Sequence, residues 1–182
     1  MSKSSSRAPG SDLIERTAVF DQTGKYRYCL GRRWQPGGSS VAFVMLNPSQ
    51  ADASRDDPTL RACTQFAQRW QYAALEVVNL FGYRTPHPAQ LKQALNQAED
   101  PIGDQNDRYL LQTVEEADQV VLAWGNWGSL AGRDRTILTL LTPHWAKLTY
   151  LQLNRSGQPR HPLYISRSVL PQRYPVPRHL IS

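Results

Sequence analysis

Four short segments hold most of the side chains that could act on a bound molecule. They are LNPS (46–49) with the QADASRDDPT that follows it (50–59), NLFGYR (79–84), WGNWG (124–128), and NRSG (154–157) with RHPLY (160–164). All four carry Asn, and together they add one His, several aromatic rings and Arg. An Asn amide offers a donor and an acceptor, so Asn47 and Asn79 suit reading a polar edge or holding a water. His161 suits acid–base work or donation of a hydrogen bond to developing negative charge. Asp52, Asp56 and Asp57 add carboxylates in the first segment. One His with carboxylates at this spacing is too few for a metal centre, so neither a metal nor a cofactor is expected. Dinucleotide, phosphate-loop, zinc-protease and hydrolase-elbow motifs are absent. Each residue also has a plainer reading. Asn47-Pro48-Ser49 suits a turn. Asp56-Asp57-Pro58 suits the start of a helix. Gly125, Asn126 and Gly128 suit a tight turn that could also receive a phosphate. The tryptophans suit core packing.

These segments follow the elements that must position them. VAFVMLN (41–47), ALEVVNLF (74–81), QVVLAW (119–124) and KLTYLQL (147–153) read as buried strands. Helical spacing is expected over 58–71, 88–97, 102–117 and 130–141. Alternating strands and helices imply parallel βαβ units, with right-handed crossovers placing helices on both faces. The expected fold is α/β, a three-layer α/β/α domain with a four-stranded parallel sheet. TAVFDQTGKYRYCL (17–30) adds an N-terminal β-hairpin. Ligands of such sheets bind beyond the carboxyl ends of the strands, where the four segments fall.

Length and composition bound the rest. With 182 residues, 40% hydrophobic and 20% charged, the chain fits one domain over 13–182 behind a polar, disordered tail at 1–12. The Pro-rich end (170–182) is expected to be an extended surface segment. No apolar run approaches the roughly 20 residues of a membrane span, so no membrane partner is expected. The N-terminus has no apolar leader stretch, and Cys29 and Cys63 suit a reducing compartment, so a cytoplasmic location is expected. The net charge of +6 favours a polyanionic partner.

LNPSQADASRDDPTLRAC, VVNLFGYR, WGNWG and RHPLY, in that order, resemble a bacterial family catalogued as a domain of unknown function, over most of residues 17–165. The same pattern is similar, more distantly, to the uracil-DNA glycosylase superfamily. Met45-Leu46-Asn47-Pro48-Ser49 stands where its mismatch-specific branch has G-[IL]-N-P-G. Val78-Asn79 stands where its second strand ends in an Asn that reads the base edge. Trp124-Gly125 stands for its third L-G, and His161-Pro162-Leu163 for its H-P-S. The leading Gly, the final Ser, the base-stacking Phe and the iron–sulfur cysteines have no counterparts here.

That resemblance implies a monomeric DNA glycosylase-like hydrolase that cleaves the N-glycosidic bond of a damaged or modified base, in duplex or single-stranded DNA. Asn47 and His161 would be catalytic, placing the water and stabilising the leaving base. Asn79 would read the base, and Ser49, Asp56, Asp57, Tyr83, Gly125, Asn126, Arg160, Leu163 and Tyr164 would line the substrate site. Tyr83, Trp124 or Trp127 would stack on the base, and Leu163 and Tyr164 would wedge into a duplex. Arg84, Arg133, Arg135, Arg155 and Arg160 are candidates for phosphate contacts. The alternatives are a nucleic-acid or nucleotide-binding module without catalysis, and an N-glycosidase acting on free nucleosides or nucleotides.

Overall fold

A computed structural model describes residues 15–175. The expected tail at 1–12 and the last part of the Pro-rich end, 176–182, lie outside the described residues. The elements run β1 (Glu15–Phe20), β2 (Arg27–Arg33), β3 (Ser40–Met45), α1 (Pro58–Arg69), β4 (Ala74–Asn79), α2 (Ala89–Asn96), α3 (Asn106–Glu116), β5 (Gln119–Leu122), α4 (Arg133–Leu140), β6 (Leu148–Tyr150) and β7 (Gln172–Arg173). Short 3₁₀ helices form at Asn126–Gly132, Thr142–Lys147 and Pro162–Tyr164. No helix of the described residues is long and apolar enough to cross a membrane.

The strands form one seven-stranded mixed sheet in the order β1-β2-β4-β3-β5-β6-β7. The four expected buried strands are its parallel middle. The expectation of a four-stranded sheet with a hairpin beside it is therefore corrected. β2 pairs antiparallel with β4, so the hairpin extends the sheet. β2 is a largely buried strand that contains Arg27 and Arg32. Arginines normally mark exposed positions, which hides the burial of such a strand from sequence reading. At the other edge the described part of the Pro-rich end is more than a surface segment: Gln172–Arg173 pairs with β6, and Tyr174 packs beside Trp145.

Residues of the central strands alternate between two apolar clusters. Val41, Phe43, Met45, Leu75, Val77 and Val121 pack with Leu60, Cys63, Phe66 and Ala67 of α1. Ala42, Val44, Val78, Val120 and Leu122 pack on the other face with Leu91, Leu110, Val114 and Ile137 of α2, α3 and α4. The handedness of crossovers explains the division. From β3 the chain steps to β4 on one side, then returns past β3 to β5 and on to β6. Opposite steps with the same right-handed turn put α1 on one face and the later helices on the other. The reversal opens a crevice at the carboxyl end of β3.

Helix α1 starts as its sequence requires. Asp57 is the N-cap, its Oδ1 accepts the Leu60 N–H at 2.8 Å, and Pro58 occupies the first turn. The central strands end earlier than hydrophobicity implied, at Met45, Asn79, Leu122 and Tyr150. Asn47, inside the first expected strand, is thereby freed from ladder pairing.

Candidate functional site

The crevice is a cavity of about 540 Å³. That lies within the roughly 300–1,000 Å³ of small-ligand sites. Met45 and Asn79, at the ends of β3 and β4, are register partners, so the first two segments leave the sheet side by side. Asn47, Ser49, Asp57, Asn79, Gly125, Asn126, Arg160, His161, Leu163 and Tyr164 all line this cavity, together with Trp124 and Trp127. Leu30, Met45, Leu60 and Val77 give it an apolar side.

The amide of Asn47 is held in one orientation. Its Nδ2 donates to the carbonyls of Pro48 at 2.9 Å and Thr85 at 2.8 Å. Both amide protons are thus committed, which turns Oδ1 into the group available to a ligand or water. Asn79 is 1% exposed, and its Oδ1 has no hydrogen-bond partner among the described residues. A buried acceptor left unpaired is costly to the fold, and its position in a cavity wall points to a donor on a ligand.

His161 accepts the Leu163 N–H on Nδ1 at 3.3 Å. The ring proton is therefore assigned to Nε2, which becomes a donor. Burial pushes the imidazole below its ordinary value of 6.5, against an opposing pull from Asp57. The ring is neutral at pH 7, as suits donation to a developing anion. Asp57 is the one carboxylate among the lining residues. Capping engages its Oδ1, so one side chain both starts α1 and borders the cavity.

The third and fourth segments are stitched together beside His161. Gly125 adopts φ 74°, a conformation that disfavours side chains, and its N–H donates to Pro159 O at 2.7 Å. Trp124 is buried, and its Nε1 donates to Gln158 Oε1 at 2.6 Å. Gly128 lies so close under this indole that a Cβ there would overlap it. Asn126 accepts the Ser156 hydroxyl at 2.7 Å. Trp127 is 40% exposed and Tyr164 71%, so aromatic faces stand at the rim. Trp124 packs in the core as well as lining the site.

Other expected residues lie elsewhere. Asp56 is outside the cavity lining, where it pairs with Arg16 and with the buried Arg32. Arg32 is a cation that would otherwise be buried alone, so it holds the carboxylate. Tyr83 borders a neighbouring groove with Arg84 and lies under Lys25. Arg84 donates to Gly24 O at 3.0 Å and lies over the Phe20 ring. Arg133 is buried, pairs with Asp107 and donates to Leu80 O at 2.7 Å, so it is a structural residue and not a free phosphate contact. Arg135 and Arg155 are exposed. Among the described residues there is no group of three or more His, Cys, Asp or Glu placed to hold a metal ion.

One charged wall residue was not expected. Arg27 lines the cavity, 3% exposed. The register between β1 and β2 slips, with Val19 opposite Cys29 and Phe20 opposite Arg27. Tyr28 is the extra residue of a β-bulge. Consequently Tyr28 and Cys29 both turn to α3, where Tyr28 stacks on Tyr109 and Cys29 lies near Thr113. Simple alternation would send Arg27 to that same face; the bulge re-aims it into the cavity. The only signal in the sequence is a charge inside a run that otherwise reads as strand.

A family model described as "Protein of unknown function (DUF1643)" matches residues 27–163. No curated protein matches, and no solved structure matches.

Proposed function

The chain belongs to this DUF1643 family of proteins of unknown function, and from that premise we propose that it is a glycosylase-like hydrolase that cleaves the N-glycosidic bond of a modified or damaged base. The observation that carries the reading is the unpaired, buried Oδ1 of Asn79 in a cavity that also contains Asn47 and the neutral His161. A base edge would satisfy Asn79, with the ring N–H donating to Oδ1. The three-layer, glycosylase-like assignment of the fold belongs to the same proposal; helices on both faces of parallel strands and a cavity at their reversal support it.

In this reading, water attacks the anomeric carbon while the bond from that carbon to the base nitrogen breaks. The electron pair leaves with the base, and negative charge spreads onto its oxygens. His161 Nε2–H donates to that charge, as an oxyanion-type donor. Asn47 Oδ1 orients the water. An amide is a poor proton acceptor, so the carboxylate of Asp57 takes the water's proton. Trp127 and Tyr164 stack against the extruded base or sugar.

DNA is the proposed substrate, with Arg155 and Arg160 as phosphate contacts beside the cavity. A second reading, a free nucleoside or nucleotide, is favoured by the withdrawal of Arg133 into an internal ion pair. The test is single-turnover incubation with duplex and single-stranded oligonucleotides carrying a panel of modified bases, alongside the matching nucleosides and nucleotides. Release of base with an abasic site in DNA is the expected result. Release only from small substrates selects the second reading. Binding without base release from any substrate would overturn the hydrolase.

A further inference from the structure

Arg27 is a buried cation without an ion-pair partner among the described residues. Its Nη1 donates to Ala51 O at 2.7 Å, while Nε is buried and unpartnered. The other deeply buried arginines are treated differently by the fold. Arg32 holds Asp56 and Arg133 holds Asp107. Asp57 attracts Arg27 from across the wall but forms no ion pair with it, and Arg84 and Arg32 act on it as like charges. Burial pushes the guanidinium down to about 10, which still leaves it charged at neutral pH.

A bulge that spoils strand pairing to bring an uncompensated charge into a cavity makes little sense as a stabilising device. An unpaired buried charge is among the most expensive things a fold can contain. The cost is recovered when a ligand supplies the opposite charge, because a charge-assisted hydrogen bond in a dry site is strong. Nε and Nη give a guanidinium two parallel donors suited to a planar or tetrahedral oxyanion.

We propose that the cavity wall at Arg27 is an anion subsite in which the guanidinium receives an ionised oxygen group of the ligand. Two sources share this chemistry. One is the phosphate of a mononucleotide; the other is an acidic heterocycle, such as a pyrimidine with a carboxylate. The inference rests on reading this cavity as the ligand site but requires no bond cleavage there.

The experiment is calorimetric titration of the full chain at fixed ionic strength with matched pairs. Orotate against uracil tests an anionic base, and nucleoside 5′-monophosphates against their nucleosides test a phosphate. Inorganic phosphate is the minimal probe. In at least one pair the anionic member should bind the native protein about 10- to 100-fold more tightly, the range expected for a hydrogen bond to a charged group. That preference should vanish in Arg27→Gln and survive in part in Arg27→Lys. The pair that shows it identifies the source of the charge. Equal binding within both pairs, or no binding of any anionic probe at millimolar concentration, would overturn the proposal on native protein alone, even if Arg27→Gln does not fold. A preference that persists in folded Arg27→Gln would overturn it too. Cleavage is not the readout. A protein that binds anions through Arg27 but releases no base loses only the hydrolase reading. One that releases base without anion preference loses only this one.

Discussion

Replacing Asn79 by Leu should make the protein more stable while destroying its ability to choose a base. The side chain is 1% exposed, and its Oδ1 has no partner. Leaving such an acceptor dry and unpaired costs about 1–3 kcal/mol. The backbone connections of the residue do not depend on the amide: its carbonyl accepts from Asn106 Nδ2 at 2.9 Å, and the strand pairs with Met45. Leu would extend toward Met45, Leu60 and Val77 in a cavity with room for it. The expected gain is therefore about 1–3 kcal/mol. For a domain of this size that raises the melting temperature by about 2–12 °C. Urea and thermal unfolding of Asn79→Leu beside the native protein measure the gain. The same base-release panel used for the native protein measures discrimination, which should collapse toward equal rates. A loss of stability larger than about 1 kcal/mol would refute the reasoning, because the amide would then be holding the fold. Unchanged base preference would refute its ligand role.

His161→Ala should slow the chemical step by about 10²–10³, the loss typical of one oxyanion-type donor, measured by single-turnover kinetics. His161 also couples stability to pH. Its folded pKa lies below the ordinary 6.5, chiefly through burial, so the unfolded chain binds the proton more readily. Its contribution is complete above pH 6.5 and is lost as pH falls through the folded value, so urea midpoints from pH 8 to 5 should fall less in His161→Gln. Asp57→Asn should preserve the helix cap to within a few tenths of a kcal/mol, since Asn caps as well as Asp, yet lower the rate by about 10²–10⁴ if the carboxylate is the general base; an unchanged rate would return the residue to capping alone. Gly128→Ala should destabilise by about 1–3 kcal/mol by forcing the Trp124 ring to move, seen as a lower urea midpoint and weaker ligand binding. Glu76 is pushed up by burial ahead of the hydrogen bond from Cys29 and the pull of Arg33, which lower it. A raised carboxylate pKa means stability is lost as pH rises through it, so Glu76→Gln should melt higher at pH 7 and gain nothing at pH 4.

Much of this arrangement is legible along the chain. Apolar runs mark the four central strands, and 3.6-residue spacing marks the helices, because both signals arise between near neighbours. The Asp57-Pro58 start of α1 is equally local: one carboxylate satisfies an N–H three residues ahead. Crossover handedness then places the segments after the strands at one edge, and Asn47, Asn79, Gly125 and His161 do line one cavity there. Sequence does not say which of Asp56 and Asp57 borders the site. They are adjacent acids, and the choice is made by Arg32, distant in sequence, which takes Asp56 into an ion pair. Nor does local pattern disclose that β2 joins β4, or that Tyr83 faces the neighbouring groove. Arg27 is the clearest case. Period-two alternation assigns it to the face of α3, and only the slipped register with β1 reverses that assignment. Local periodicity records which residues prefer burial. Which strand pairs with which, and where a ladder slips by one residue, is decided by the packing of distant segments, and that packing is what sends a charge into the cavity.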